Sequence, residues 1–372
     1  WRIPGSGRTH GTRRSGARRG QRAHQRLTAF DRPMRQLFEP KLVNDPFGDP
    51  ALYVDLRDEG RALLFDIGDI RPLPPRKLLR ISHVFVSHTH MDHFAGLDHL
   101  LRVVLGRKTG IALFGGPGFV AQVEHKLHAY SWNVVHRYEP ELVFDVREFS
   151  PGGPGQQARF SSRKAFALEP GPAFEVQGDL LHDEPLLRVR GRFVDHEMPC
   201  LAFALEEKPR PRVARDRLAA LGVSTGPWLR DLKLAIMADA PAHTPIHLRW
   251  RDRQGEHEMT RCLGELQSLM LDFSPGQCIG YVTDLRFTDE NRRTLAPLIA
   301  GVDLLFIESA FLDADLEHAR RKNHLTARQA GQIARESGAR GVVPFHFSPR
   351  YGQRAAELVA EVHAAWRLEA AV

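Results

Sequence analysis

The chain has 372 residues, 42% hydrophobic and 26% charged, which is ordinary globular composition; no run nears the roughly 20 apolar residues of a spanning helix, so a helical membrane protein is excluded. Three cysteines, Cys200, Cys262 and Cys278, are too few and too scattered for a disulfide framework or a cysteine zinc site, and they point to a reducing, cytoplasmic setting. The net charge of +7 belongs to one end: residues 1–35 hold ten arginines against one acid, Asp31, leaving 42 basic against 44 acidic side chains in the body, so a uniformly basic nucleic-acid groove is not implied.

Residues 1–30 are rich in Gly, Arg and Ser with almost no apolar side chains. They cannot bury enough surface to fold, so residues 1–35 read as a disordered tail ahead of a body spanning 36–372. Residues 51–57 and 62–67 read as paired strands around the turn Asp58-Glu59-Gly60, and 83–87 as a third strand. Apolar spacing over 94–105 predicts a helix. A strand over 111–115 is broken by Gly115-Gly116-Pro117-Gly118, and a helix follows over about 117–130. Residues 150–172, rich in Pro, Gly and Ser, read as a loop. Strands return at 186–194 and 200–206, followed by a basic, proline-containing segment over 207–230. Then come a strand (245–250), a helix (258–270), strands (277–283, 302–307), a helix (324–337), a strand (340–345) and a closing helix (353–370). This alternation argues for an α/β protein with sheets covered by helices. No internal repeat is present.

Ser87-His88-Thr89-His90-Met91-Asp92-His93 places three histidines and an aspartate within six residues, directly behind an apolar strand. In an extended loop His88 and His90 project to one side, while Asp92 and His93 fall at a helix start. The arrangement offers imidazoles to one cation, and a carboxylate with an imidazole to a second. Neutral imidazole and carboxylate suit zinc, manganese or iron.

His-x-His-x-Asp-His after a hydrophobic strand resembles the metallo-β-lactamase superfamily. Three later stretches resemble the remaining ligand segments of that family, in order: FVDHEMPCLAFALEE with His196, GYVTDL with Asp284, and FHFSPRY with His346. Four stretches resemble the ribonuclease Z branch, the tRNA 3′-end endonucleases. They are Phe347-Ser348-Pro349-Arg350-Tyr351, Phe306 to Phe311 around Glu308, Asn323 to Ala330 around His324, and Leu221 to Lys233 around Gly226-Pro227. The resemblance covers roughly residues 50–352.

The resemblance implies a four-layer αβ/βα sandwich carrying an inserted arm over 207–240. It implies two divalent ions per subunit, zinc before manganese or iron. His88, His90 and His196 would hold one, Asp92, His93 and His346 the other, with Asp284 bridging. Asp92 could also accept the proton of the attacking water. His324, poised near neutrality by Glu308, would protonate the departing ribose oxygen. The arm cations Lys208, Arg210, Arg212, Arg215 and Arg217, with Gly226 and Pro227, would grip RNA without reading its sequence. The partners implied are precursor tRNA or another RNA and a second copy of the chain, with no membrane. A hydrolase of small phosphodiesters, such as cyclic nucleotides, or of sulfate esters is the competing activity on the same fold.

The chain departs from that branch at four points. The loop Val43 to Pro50 is acidic, with no Lys or Arg, where a basic loop is expected. The turn after the second strand reads Gly68-Asp69-Ile70, Ala235 stands where glycine is expected, and Leu285 follows Asp284 in place of threonine.

Overall fold

The computed structural model describes residues 36–208, 210–213, 217–218, 222–238, 240–252, 255–274 and 276–368. The arginine-rich tail over 1–35 and Arg215 lie outside them.

The first sheet takes its eight strands in chain order: β1 (Phe38–Leu42), β2 (Leu52–Leu56), β3 (Arg61–Phe65), β4 (Ile81–Phe85), β5 (Gly110–Gly115), β6 (Val143–Glu148), β7 (Gln156–Ser161) and β8 (Leu168–Pro170). Strands β3 to β6 run parallel. Short helices α1 (Pro75–Leu78) and α2 (Met91–Phe94), then α3 (Leu97–Val104) and α4 (Phe119–His128), fall between them. The chain enters the second sheet with β9 (Leu180–Asp183), β10 (Leu187–Asp195) and β11 (Pro199–Glu207). It leaves for β12 (Arg210–Val213), α5 (Trp228–Met237), β13 (Pro245–Asp252), β14 (Gly255–Cys262), α6 (Leu263–Met270) and β15 (Leu271–Ser274). It returns with β16 (Cys278–Val282), α7 (Asp289–Leu295), β17 (Leu304–Glu308), α8 (Leu316–Lys322), α9 (Ala327–Glu336), β18 (Val342–Phe345) and α10 (Ala355–Arg367). The sheet order is β18-β17-β16-β11-β10-β9.

Strand alternation produces the layers. One face of each sheet supplies a shared core, where Phe65, Phe85 and Phe114 meet Phe203, Tyr281 and Phe345. The opposite faces carry a second core under α3 and α4 and a third under α7, α9 and α10. The protein is therefore an αβ/βα sandwich of four layers. The insertion between β11 and β16 has its own small core around Trp228, Leu248 and Trp250.

Three elements differ from the pattern reading. The helix expected over 94–105 is two helices, interrupted at Gly96, whose nitrogen donates to the Ile67 carbonyl. The loop expected over 150–172 contains β7 and β8, because the polar run Gln156–Ser161 finds a ladder on β6. The first half of the helix expected over 258–270 is β14, which pairs residue for residue with β13. Strand β1, short and partly exposed, lies outside the expected strands altogether.

Candidate metal centre

The motif residues fall where β4 ends. His88 lies three residues past the strand, and α2 starts just beyond His90, with Asp92 and His93 in its single turn. His196 sits in the β10–β11 turn, Asp284 just past β16 and His346 just past β18, with His346 in the left-handed region at φ 60°. Each of these segments follows the end of a strand, where the backbone leaves the ladder and side chains from different strands can converge.

The seven predicted ligands come together. His88, His90, His196 and Asp284 each offer an atom within 4.8 Å of the others, and so do Asp92, His93 and His346. Asp284 reaches both groups: its Oδ2 is 3.5 Å from His196 Nε2 and 3.5 Å from His93 Nε2, and its Oδ1 is 2.9 Å from His346 Nδ1. Bonds of about 2.0–2.1 Å to a shared tetrahedral ion would space its ligands by about 3.3 Å, close to these separations.

Tautomers can be assigned from partners that only accept. His93 Nδ1 donates to Asp66 Oδ2 at 2.8 Å, and His196 Nδ1 donates to the Asn323 carbonyl at 2.8 Å. Each Nε2 is then free to face the centre. The Nε2 atoms of His88 and His93 are buried without a hydrogen-bond partner, an arrangement that costs free energy unless a cation takes the lone pair. The residues present therefore fit divalent ions, which is the metal dependence that the fold carries.

The electrostatics are strongly coupled. Burial alone would lower the His93 pKa, but Asp284 and Asp66 outweigh it and raise it to about 10, so a cation taking Nε2 would have to displace a proton there. Burial and the neighbouring His93 push His88 down to about 2. Burial would raise Asp92, yet the His346 hydrogen bond and the His93 charge hold it below the usual carboxylate range.

The predicted acid pair is also in place. His324 Nδ1 lies 3.1 Å from Glu308 Oε2, and Glu308, fully buried, accepts the Leu285 amide through its other oxygen at 3.0 Å. Burial would lower the His324 pKa, but Glu308 and Asp284 raise it above the ordinary value. Leu285, where threonine was expected, contributes this amide and buries its side chain.

The arm residues are elsewhere. Lys208 Nζ pairs with Asp183 at 2.8 Å. Arg210 and Arg212 belong to β12, Arg217 is exposed, Gly226 packs its Cα against the Arg249 carbonyl and Pro227 caps α5. Lys208, Arg217, Gly226 and Pro227 do not border the cavity that holds the histidines.

A β-lactamase superfamily domain model matches residues 64–176 and 230–347. Ribonuclease Z of Deinococcus radiodurans is 30% identical over 316 residues, covering 83% of this chain and 90% of that protein. The chain belongs to the ribonuclease Z branch of the β-lactamase superfamily. Ribonuclease Z of Halalkalibacterium halodurans is 28% identical over 82% of this chain and 83% of its own length, and that of Haloferax volcanii is 25% identical over 87% and 86%.

Pattern reading misses the supports of this ribonuclease Z centre. Asp66 is fully buried at φ 55°, and besides His93 it accepts Ser87 N at 2.7 Å, Ser87 Oγ at 2.9 Å and Tyr281 Oη at 2.9 Å. An acid closing an apolar strand is its one sequence signal. Asn323 stands out in sequence only as the first residue of a motif. It caps α8 at φ 61° and bonds three ways: carbonyl to His196, Oδ1 from Arg286 Nε at 2.7 Å, Nδ2 to Glu197 at 2.7 Å.

Proposed function

We propose that the protein is a metal-dependent endoribonuclease that removes the 3′ trailer of precursor tRNA by phosphodiester hydrolysis. The observation that carries this reading is the His324–Glu308 pair, 3.1 Å apart, on the wall of the cavity lined by His90, Asp92, His196 and Asp284. A ribose alkoxide is a poor leaving group, so a poised donor beside the metal ligands suits RNA. Family membership points the same way.

His88, His90 and His196, and Asp92, His93 and His346, with Asp284 reaching both groups, would hold two divalent ions, zinc before manganese or iron, which would supply charge neutralisation at the phosphate and a lowered water pKa. Asp92 takes the proton of the attacking water. As the new P–O bond forms, the bond to the ribose oxygen breaks, and that oxygen takes the proton of His324. One water is consumed, leaving a phosphomonoester on one fragment and a hydroxyl on the other. Glu308 holds the imidazole in line and stabilises its charged form. Residues 207–240 act as an arm that grips tRNA, with a homodimer placing one subunit's arm against the other's site, in the cytoplasm.

The acidic loop Val43 to Pro50 favours a second reading, hydrolysis of small phosphodiesters. Precursor tRNA with a labelled 3′ trailer decides between them, with the zinc-loaded protein and a His90→Ala variant as blank. One cut near the discriminator base, absent in the variant, supports the tRNA reading. Intact RNA beside a hydrolysed aryl phosphodiester overturns it.

A further inference from the structure

Two cavities meet at Asn323 and His324. The first, of about 400 Å³, has metal-centre residues on one side and Arg321, Lys322 and Asn323 on the other. The second, of about 300 Å³, continues past His324 between Arg286 and Arg320. The two rims of the centre carry opposite charge. On the far side, loop 43–50 brings Asp45 and Asp49 without a cation, and Asp49 Cβ crowds Gly68 together with the Asp92 carbonyl. On the near side stand four cations on or next to α8.

Three of these cations, Arg320, Arg321 and Lys322, are exposed and held by no buried ion pair, whereas Arg286 pairs with Asp195 at 3.1 Å and donates to Asn323 Oδ1 at 2.7 Å. Among the described residues Lys322, which is exposed, has no carboxylate partner, and Arg321 has one side-chain bond, to His318 at 3.1 Å. Arg320 pairs with Glu317 where both side chains are largely exposed, an interaction worth little. Cations at a helix C-terminus also complement its dipole, and that alone would explain their number. It does not explain their place on a cavity wall shared with the centre. The wall is tied to the centre by Asn323, whose left-handed turn gives its carbonyl to His196 and is followed at once by His324.

The polarity of the reaction sets the direction of the strand. His324 protonates the departing oxygen, so the nucleotide bearing that oxygen extends toward His324 and the second cavity. We propose that the α8 wall is the RNA backbone track on the leaving-group side. In this arrangement Arg321 and Lys322 meet the phosphate beside the scissile one, and Arg320, with Arg286 behind it, meets the next. The acidic rim then makes no phosphate contact, and a basic loop at 43–50 is not needed for this half of the RNA. The proposal rests on the ribonuclease reading.

The test measures KM and kcat of the zinc-loaded, full-length protein on trailer-labelled precursor tRNA between 50 and 200 mM KCl. Phosphate contacts appear as counterion release, so each cation lost should flatten the slope of log KM against log salt by about 0.7–0.9. Arg321→Ala with Lys322→Ala should raise KM at low salt and flatten that slope by about 1.4–1.8, acting on KM more than on kcat. Lys322→Arg should restore most of its share. Arg102→Ala, an exposed cation on α3, is the control and should keep the full slope. The replaced side chains are exposed, so thermal melts should match the wild type. A wild-type slope and KM in the double variant overturn the track while leaving the ribonuclease reading intact. Failure of the wild type to cut RNA while it hydrolyses an aryl phosphodiester overturns both.

Discussion

Asp66 is the residue on which the second metal group turns. It receives four hydrogen bonds in a fully buried setting, from Ser87 twice, from Tyr281 and from His93. Those bonds fix the His93 tautomer and its ring direction, and metal affinity depends on such supports by about 10–100-fold. Asp66→Asn keeps the volume but loses the charge and one acceptor. Metal retained after dialysis against graded chelator should fall by that factor, and retention equal to wild type would contradict the assignment. His324 is tested through its leaving group. His324→Ala should slow RNA cleavage by about 10²–10⁴-fold, the usual contribution of a general acid. A p-nitrophenyl phosphodiester releases a stable anion that needs no proton, so its hydrolysis should fall far less. Equal losses on both substrates would move His324 from proton donor to structural support.

Elements position these residues through close backbone approach, and one glycine shows how tight that approach is. Gly68 follows β3, and a Cβ there would stand 2.0 Å from the Asp92 carbonyl and 2.9 Å from the Pro50 carbonyl. Backbone cannot yield as a side-chain tip does, so Gly68→Ala must displace the loop that carries Asp92. The expected outcome is about 1–3 kcal/mol of overpacking cost in denaturant melts, together with weaker metal retention. Ile70, two residues on, is buried in the outer core of the first sheet. Elements also differ in how legible they are in the amino-acid sequence. The strands around His88, Asp284, Glu308 and His346 are legible because buried parallel strands are short, continuous apolar runs. Strands β7 and β14 are not, because their sequences are polar and their ladders come from neighbours. The seven proposed ligand positions are legible because the motifs are local. Asp66 and Asn323 act through contacts 27 and 127 residues away in sequence, which no local pattern contains.

At the scale of the whole molecule the two sheets are held by a shared aromatic core, and that core ends in a titratable contact. His83 on β4 meets His182 on β9 with ring centroids 4.5 Å apart, beside a Glu184 carboxylate held by Arg61. Burial, with His182 adding to it, lowers the His83 pKa to about 3. Burial would raise Glu184, but His182 and Arg61 outweigh it and lower it to about 2. Both shifts have the same consequence. The folded state refuses protons that the unfolded chain accepts, below about 6.5 for histidine and below about 4.3 for glutamate, so stability falls as pH falls through those values. Between pH 6.5 and 5 the histidine acts almost alone. His83→Phe keeps a ring against Phe85 and Phe114 and removes the titration. The fall in melting temperature from pH 6.5 to 5, measured at one fixed metal content, should therefore be shallower in His83→Phe than in the wild type. Parallel curves would mean that the acid sensitivity of the sandwich lies in the metal-centre histidines and not in this inter-sheet contact.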